Sequence, residues 1–126
     1  MFTVEVDIQK NRLRVTFHGF LDAREMKECT DTTIKESMKL KPGYDVITDI
    51  SDFKVVGQDS LGEVTRAQAH FKKTGVRHAI RVIGTAALAN SQFTRMGKSV
   101  DYVPQTAATA AEAEALLDAL AAGQKK

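Results

Sequence analysis

Phe2, Val4, Val6 and Ile8 alternate with Thr3, Glu5, Asp7 and Gln9, and after a break at Lys10-Asn11 the alternation resumes, with Leu13, Val15 and Phe17 against Arg12, Arg14, Thr16 and His18. Apolar residues at every second position give each run one buried face, and two such runs around a tight polar break make a β-hairpin. Past Gly19 the period changes. Ala23, Met26, Cys29, Thr30, Thr33, Ile34 and Ser37 share one side of a helix with charged residues opposite. Asp22 followed by Glu25 has the form of a capping box at its start, and Pro42-Gly43 stops it. A chain that opens with a hairpin and then turns helical is committed to laying helices on a sheet.

The later segments repeat that theme. Tyr44 to Ile50 is β-rich, and the stretch from Ser51 to Gln58 is irregular. Ser60 with Glu63 forms a second capping box, followed by Leu61, Val64, Ala67, Gln68 and Phe71 at helical spacing. Lys72-Lys73 and Gly75 suit that helix's carboxyl end. Val76 to Ile83 reads as a strand, and Ala89, Phe93, Met96 and Val100 as a third helix. Tyr102-Val103 reads as a short strand broken by Pro104. Thr109 with Glu112 caps a last helix, whose apolar side is Ala113, Leu116, Leu117 and Leu120. The order β-β-α-β-α-β-α-β-α predicts an α/β fold. Its single-layer mixed sheet is antiparallel at the hairpin and mostly parallel beyond, with helices packed on it. Residues 1–122 form one domain and 123–126 a disordered tail. Phe17, Val46, Phe71, Ile80 and Val82 are expected in the core, and Arg81 is expected to pair with a carboxylate of the Asp45/Asp49 strand.

Composition excludes several functions. Hydrophobic residues at 43% and charged residues at 27% suit a soluble domain with a core. The net charge of +2 comes from 18 basic and 16 acidic residues in alternation, not from a basic face, so nucleic acid is not the expected ligand. Cys29 is the only cysteine, which rules out an intrachain disulfide. No apolar stretch approaches the ~20 residues of a spanning helix, and Met1 to Asp7 holds no apolar signal region, so the cytoplasm is the expected compartment. His18, His70 and His78 are scattered with no nucleophile beside them. Asp45, Asp49 and Asp52 have no His or Cys at ligand spacing, and no glycine-rich phosphate loop is present. No catalytic residue, metal or cofactor is expected, and the chain reads as a non-enzyme.

Asp49-Ile50-Ser51, a loop, and then Asp59-Ser60-Leu61-Gly62, set in this element order, resemble the STAS domain. That is the fold of the sporulation anti-anti-sigma factors and of the cytosolic tails of sulfate transporters. The resemblance spans Phe2 to Leu120. In the family a strand ends in Asp-Leu-Ser, and a loop leads to Asp-Ser-Ser-Gly, whose second serine is the phosphorylation switch. Leu61 stands in place of that serine, and the loop is longer. The resemblance therefore implies a regulatory or protein-binding module of the STAS/SpoIIAA-like type without the phosphoserine switch. The broader SpoIIAA-like group is similar in fold to SEC14-type lipid carriers. It implies an alternative, a carrier or sensor of a small apolar ligand with transient membrane contact.

Ser51, Asp52, Phe53, Val55, Val56, Asp59 and Ser60 are the candidate binding residues for a protein partner, a small apolar ligand or a second copy of the chain. Asp59 and Ser60 at a helix N-terminus suit an anion or a regulatory phosphate, unless Ser60 only caps the helix. Phe53, Val55 and Val56 form a contact surface if exposed, or close over the sheet end if not.

Overall fold

A computed structural model describes residues 1–124. The hairpin pairs β1 (Phe2–Asp7) with β2 (Arg12–Gly19) antiparallel, from Phe2 opposite Phe17 to Asp7 opposite Arg12. Asn11 turns the chain with a φ of 54°, in the left-handed region that asparagine tolerates. After α1 (Ala23–Ser37), β3 (Asp45–Phe53) lies parallel to β2. A 3₁₀ turn over Gln58–Ser60 enters α2 (Leu61–Lys73). Then come β4 (His78–Val82), α3 (Ala87–Lys98), β5 (Gln105–Ala107) and α4 (Ala110–Gln124). The sheet order is β1-β2-β3-β4-β5, parallel from β2 onward.

The helices divide between two faces. Val15, Phe17, Val46 and Ile50 meet Met26 and Cys29 of α1, Val64 and Phe71 of α2 and Phe93 of α3 in the larger core. On the other face Ile47, Ile80 and Val82 pack on Ala113 and Leu117 of α4. The five residues expected in the core, Phe17, Val46, Phe71, Ile80 and Val82, are all buried. Strand alternation explains the division, since neighbouring residues of β3 and β4 face opposite sides.

Four expectations are corrected. First, β3 runs on to Phe53, so the loop starts at Lys54. Second, the last strand follows Pro104. Tyr102 instead packs its ring 5.9 Å from that of Phe71, while Val103 is 81% exposed. That segment is held by its anchor and not by sheet pairing. Its carbonyl comes so close to Gly97 that a Cβ there would lie 2.5 Å from the Tyr102 oxygen, so only glycine fits. Third, Arg81 does not pair with an aspartate. It bonds Asn90 and Thr94 on the three-helix face, whereas Asp45 takes Arg77 at 3.2 Å. Fourth, α4 continues through Gly123 and Gln124, where a tail was expected. Residues 125–126 of that tail lie outside the described residues.

Candidate functional site

The parallel strands β2 to β5 all end on one side, and the segments leaving them form its surface. Two backbone-directed bonds fix the longest of these segments to α3. Val56 N–H donates to Gln92 Oε1 at 2.8 Å, and Gln92 Nε2 donates back to the Val56 carbonyl at 2.9 Å. Lys54 N–H donates to the Gly19 carbonyl at 2.9 Å, which ties the same segment to the end of β2. The segment is therefore a pinned strap.

Its apolar residues face inward. Phe53 and Val56 are each 3% exposed, and the Phe53 ring lies 5.1 Å from that of Phe17 and 6.4 Å from that of Phe93. Val55 is half-buried. Of the two readings, closure over the sheet end is the one the structure shows for Phe53 and Val56. The polar candidates divide. Ser51 and Asp52 lie exposed near the end of β3, where Ser51 Oγ donates to Asp49 Oδ1 at 2.6 Å and Asp52 meets His18 Nδ1 at 3.2 Å. The His18–Asp52 pair sits on open surface, with side chains 40% and 78% exposed, and no hydroxyl or thiol is bonded to it. Among the described residues no group of three His, Cys, Asp or Glu side chains could hold a metal ion, and no helix is long and apolar enough to cross a membrane.

Ser60 does not cap α2. It stands at the N-cap position, but its φ of −108° and ψ of −5° are not those of an extended cap, and its side chain makes no capping bond. The preceding 3₁₀ turn has wound the chain before the helix begins, so Ser60 is 1% exposed and its hydroxyl has no partner among the described residues. Glu63, the other half of the supposed capping box, bonds Arg66 at 2.8 Å. Asp22, by contrast, is extended, and the capping box with Glu25 is complete. Thr109 Oγ1 accepts from Glu112 N–H at 3.2 Å, as its pattern predicts.

Two residues at this end escape a reading of periodicity. Phe20, in the segment leaving β2, is 54% exposed although its neighbour Leu21 is fully buried. Its ring reaches the strap, within 3.9 Å of where a Cβ would stand on Gly57. Leu88, in the first turn of α3, is 61% exposed. Phe20 directly after the strand-ending Gly19 was the available signal. Nothing in the spacing of Leu88 marks it. The interior cavity on the three-helix side measures about 30 Å³, far below the roughly 300–1,000 Å³ of a small-molecule site, and neither Phe53 nor Val56 lines it.

No family model matches this chain, and no curated protein matches it. Among solved structures the fold is similar to that of the anti-sigma factor antagonist SpoIIAA in its unphosphorylated form. That match has a TM-score of 0.59 and 15% sequence identity, and it covers 92% of this chain and 94% of that one. It is also similar to an anti-sigma factor antagonist from Mycobacterium paratuberculosis, with a TM-score of 0.53 at 14% identity over 94% of this chain and 95% of that one. The chain has the STAS/SpoIIAA fold, an α/β mixed sheet of five strands with four helices.

Proposed function

We propose that this chain is a non-enzymatic, cytoplasmic regulatory module that binds a protein partner through the carboxyl end of its sheet and is not switched by phosphoserine. The observation that carries the reading is the exposure of Phe20 and Leu88 there, beside a strap too firmly tied to act as a lid. Aromatic and aliphatic side chains left in water next to polar groups such as Asp52 and Asp59 match the make-up of a protein contact surface. The likeness to two anti-sigma factor antagonists supports a partner of the anti-sigma factor kind. Leu61 has no hydroxyl and the Ser60 hydroxyl is buried, so a kinase finds no acceptor at the start of α2. The cavity on the three-helix side is too small for the carrier alternative, which would have to use the open groove of about 460 Å³ beside Leu40 and Tyr44.

Affinity capture from the native host tests the proposal. The unmodified chain should retain a stoichiometric protein that a Phe20→Ser/Leu88→Ser variant of unchanged Tm does not. Equal retention by the variant would move the interface elsewhere. A co-purified small molecule in native mass spectra, without a protein partner, would favour the carrier. A stoichiometric phosphate on Ser60 in the intact mass would restore the switch.

A further inference from the structure

Arg81 lies on β4 and faces the three-helix side, where it is 2% exposed. A guanidinium keeps its proton in proteins, so this residue places a full positive charge in the interior. Its Nη1 donates to Asn90 Oδ1 and Thr94 Oγ1, each at 3.0 Å, and its carbon stands 5.3 Å from the centroid of the Phe93 ring. All three partners are neutral. Nη2 has no acceptor among the described residues. Arg12, Arg14, Arg66 and Arg77 each bond a carboxylate. Arg81 bonds none among the described residues, although it is among the most deeply buried. A buried charge without a counter-charge is strongly unfavourable, and proteins answer it with a paired charge or a bound ion.

The surroundings hold no substitute. Burial pushes the Tyr102 phenol pKa up, so Tyr102 stays neutral, and burial also lowers the pKa of Arg81 without removing its proton. Glu63 lines the same space, and both its oxygens are taken by Arg66, at 2.8 and 3.1 Å. What Arg81 does border is the cavity of about 30 Å³, lined on its polar side by Thr30, Thr33, Thr48, Gln68 and Tyr102 and on its apolar side by Phe17, Phe71 and Phe93. The Glu63 carboxylate in the same lining opposes an anion, and its charge is compensated by Arg66.

We infer that this cavity is a binding site for a small monovalent anion of halide size, held by Arg81. The volume suits it, because a single water needs about 10–15 Å³ on the same measure. The apolar walls strengthen the attraction by lowering the local dielectric. The hydroxyls of Thr48 and Tyr102 rotate, so either can turn its hydrogen to the ion. Water is the competing occupant. It can accept from Nη2 and donate to Gln68 Oε1, the other unpartnered polar atom here, but it leaves the charge uncompensated. Gln68 cannot simply turn over, since its Nε2 already donates to the Phe93 carbonyl at 3.1 Å.

Thermal unfolding of the full chain in sodium bromide, against sodium gluconate at equal ionic strength, provides the first reading. The expected result is a saturable rise of Tm with bromide in the unmodified protein and no such difference in Arg81→Met. Crystals grown in bromide supply the second, which needs no variant and stands even if Arg81→Met fails to fold. The expected map has an anomalous peak within hydrogen-bonding distance of Arg81 Nη2. Equal melting in both salts, or density for water with no anomalous signal, would overturn the assignment.

Discussion

Arg12 Nη1, on β2, lies 2.6 Å from Glu114 Oε1, on α4, across the sheet face opposite the main core. Arg12 is 1% exposed, so the salt bridge is a lid on a charge and not a surface ornament. Glu114 also accepts from Arg14, and Asp118 accepts from Arg12 Nη2 at 3.0 Å, so the two arginines anchor α4 over the hairpin.

Removing Glu114 leaves Arg12 buried with one carboxylate in place of two. Glu114→Ala should lower stability by roughly 1–3 kcal/mol, and the more exposed Asp118→Asn by less than about 1. Arg14's hydrogen bond, reinforced by Arg12's, holds the Glu114 carboxyl below its usual value of 4.5 against the opposing effect of burial. Because the folded value is the lower one, the stabilisation is complete above 4.5 and is lost as pH falls through the folded value. Denaturant midpoints of the variants at neutral and acid pH should converge toward the unmodified protein on the acid side.

The two serine/threonine positions in capping patterns should separate cleanly. Thr109→Ala breaks a real cap and should cost on the order of 1 kcal/mol. Ser60→Ala removes a buried hydroxyl that bonds nothing, so it should be neutral or slightly stabilising. Urea midpoints measured side by side decide it. A loss at Ser60 equal to that at Thr109 would mean that the hydroxyl has a partner after all.

His70 should make stability depend on pH just below neutrality. Its Nε2 lies 2.7 Å from Ser37 Oγ, and that hydroxyl spends its one hydrogen on the Ile34 carbonyl, so Nε2 is the donor. Burial, with help from Lys73, lowers the His70 pKa from 6.5. The unfolded chain then binds the proton more readily, so the contribution is present above 6.5 and fades as pH falls through the folded value. The denaturation midpoint should fall between about pH 7 and 5, and His70→Gln should flatten that slope. An unchanged slope in the variant would assign the dependence to another group.

Phe71 joins α2 to the Tyr102 anchor and is 4% exposed. Phe71→Ala should cost roughly 3–5 kcal/mol, read as a shift of the chemical denaturation midpoint.

Much of this was legible because it is local. The alternation of Val4 with Glu5 or Val15 with Arg14 needs only a sheet with one buried face. The Asp22–Glu25 box closes within one helical turn. The Ser60–Glu63 pair has the same letters and fails, because the 3₁₀ turn before it changes the backbone on which a cap depends. Phe53 and Val56 were equally open as contact surface or core plug, and the Gln92 clamp, supplied from α3, settles which way they turn.

What the sequence by itself determined is the element order, the hairpin edge, the five buried residues Phe17, Val46, Phe71, Ile80 and Val82, and the resemblance to the STAS fold. The elements and the buried residues follow from periodicity and from turn chemistry, which act over a few residues, and the resemblance rests on the Asp49-Ile50-Ser51 and Asp59-Ser60-Leu61-Gly62 strings set in that order. Pairs within one helix, such as Lys27–Asp31, follow from spacing, but the tertiary structure alone decided which acid meets which base across the sheet. Asp45 and Arg81 sit on neighbouring strands but face opposite sides of the sheet, so Asp45 takes Arg77 and Arg81 is left with neutral partners. Charge pairing depends on face and register across strands, and neither is set until the sheet is assembled.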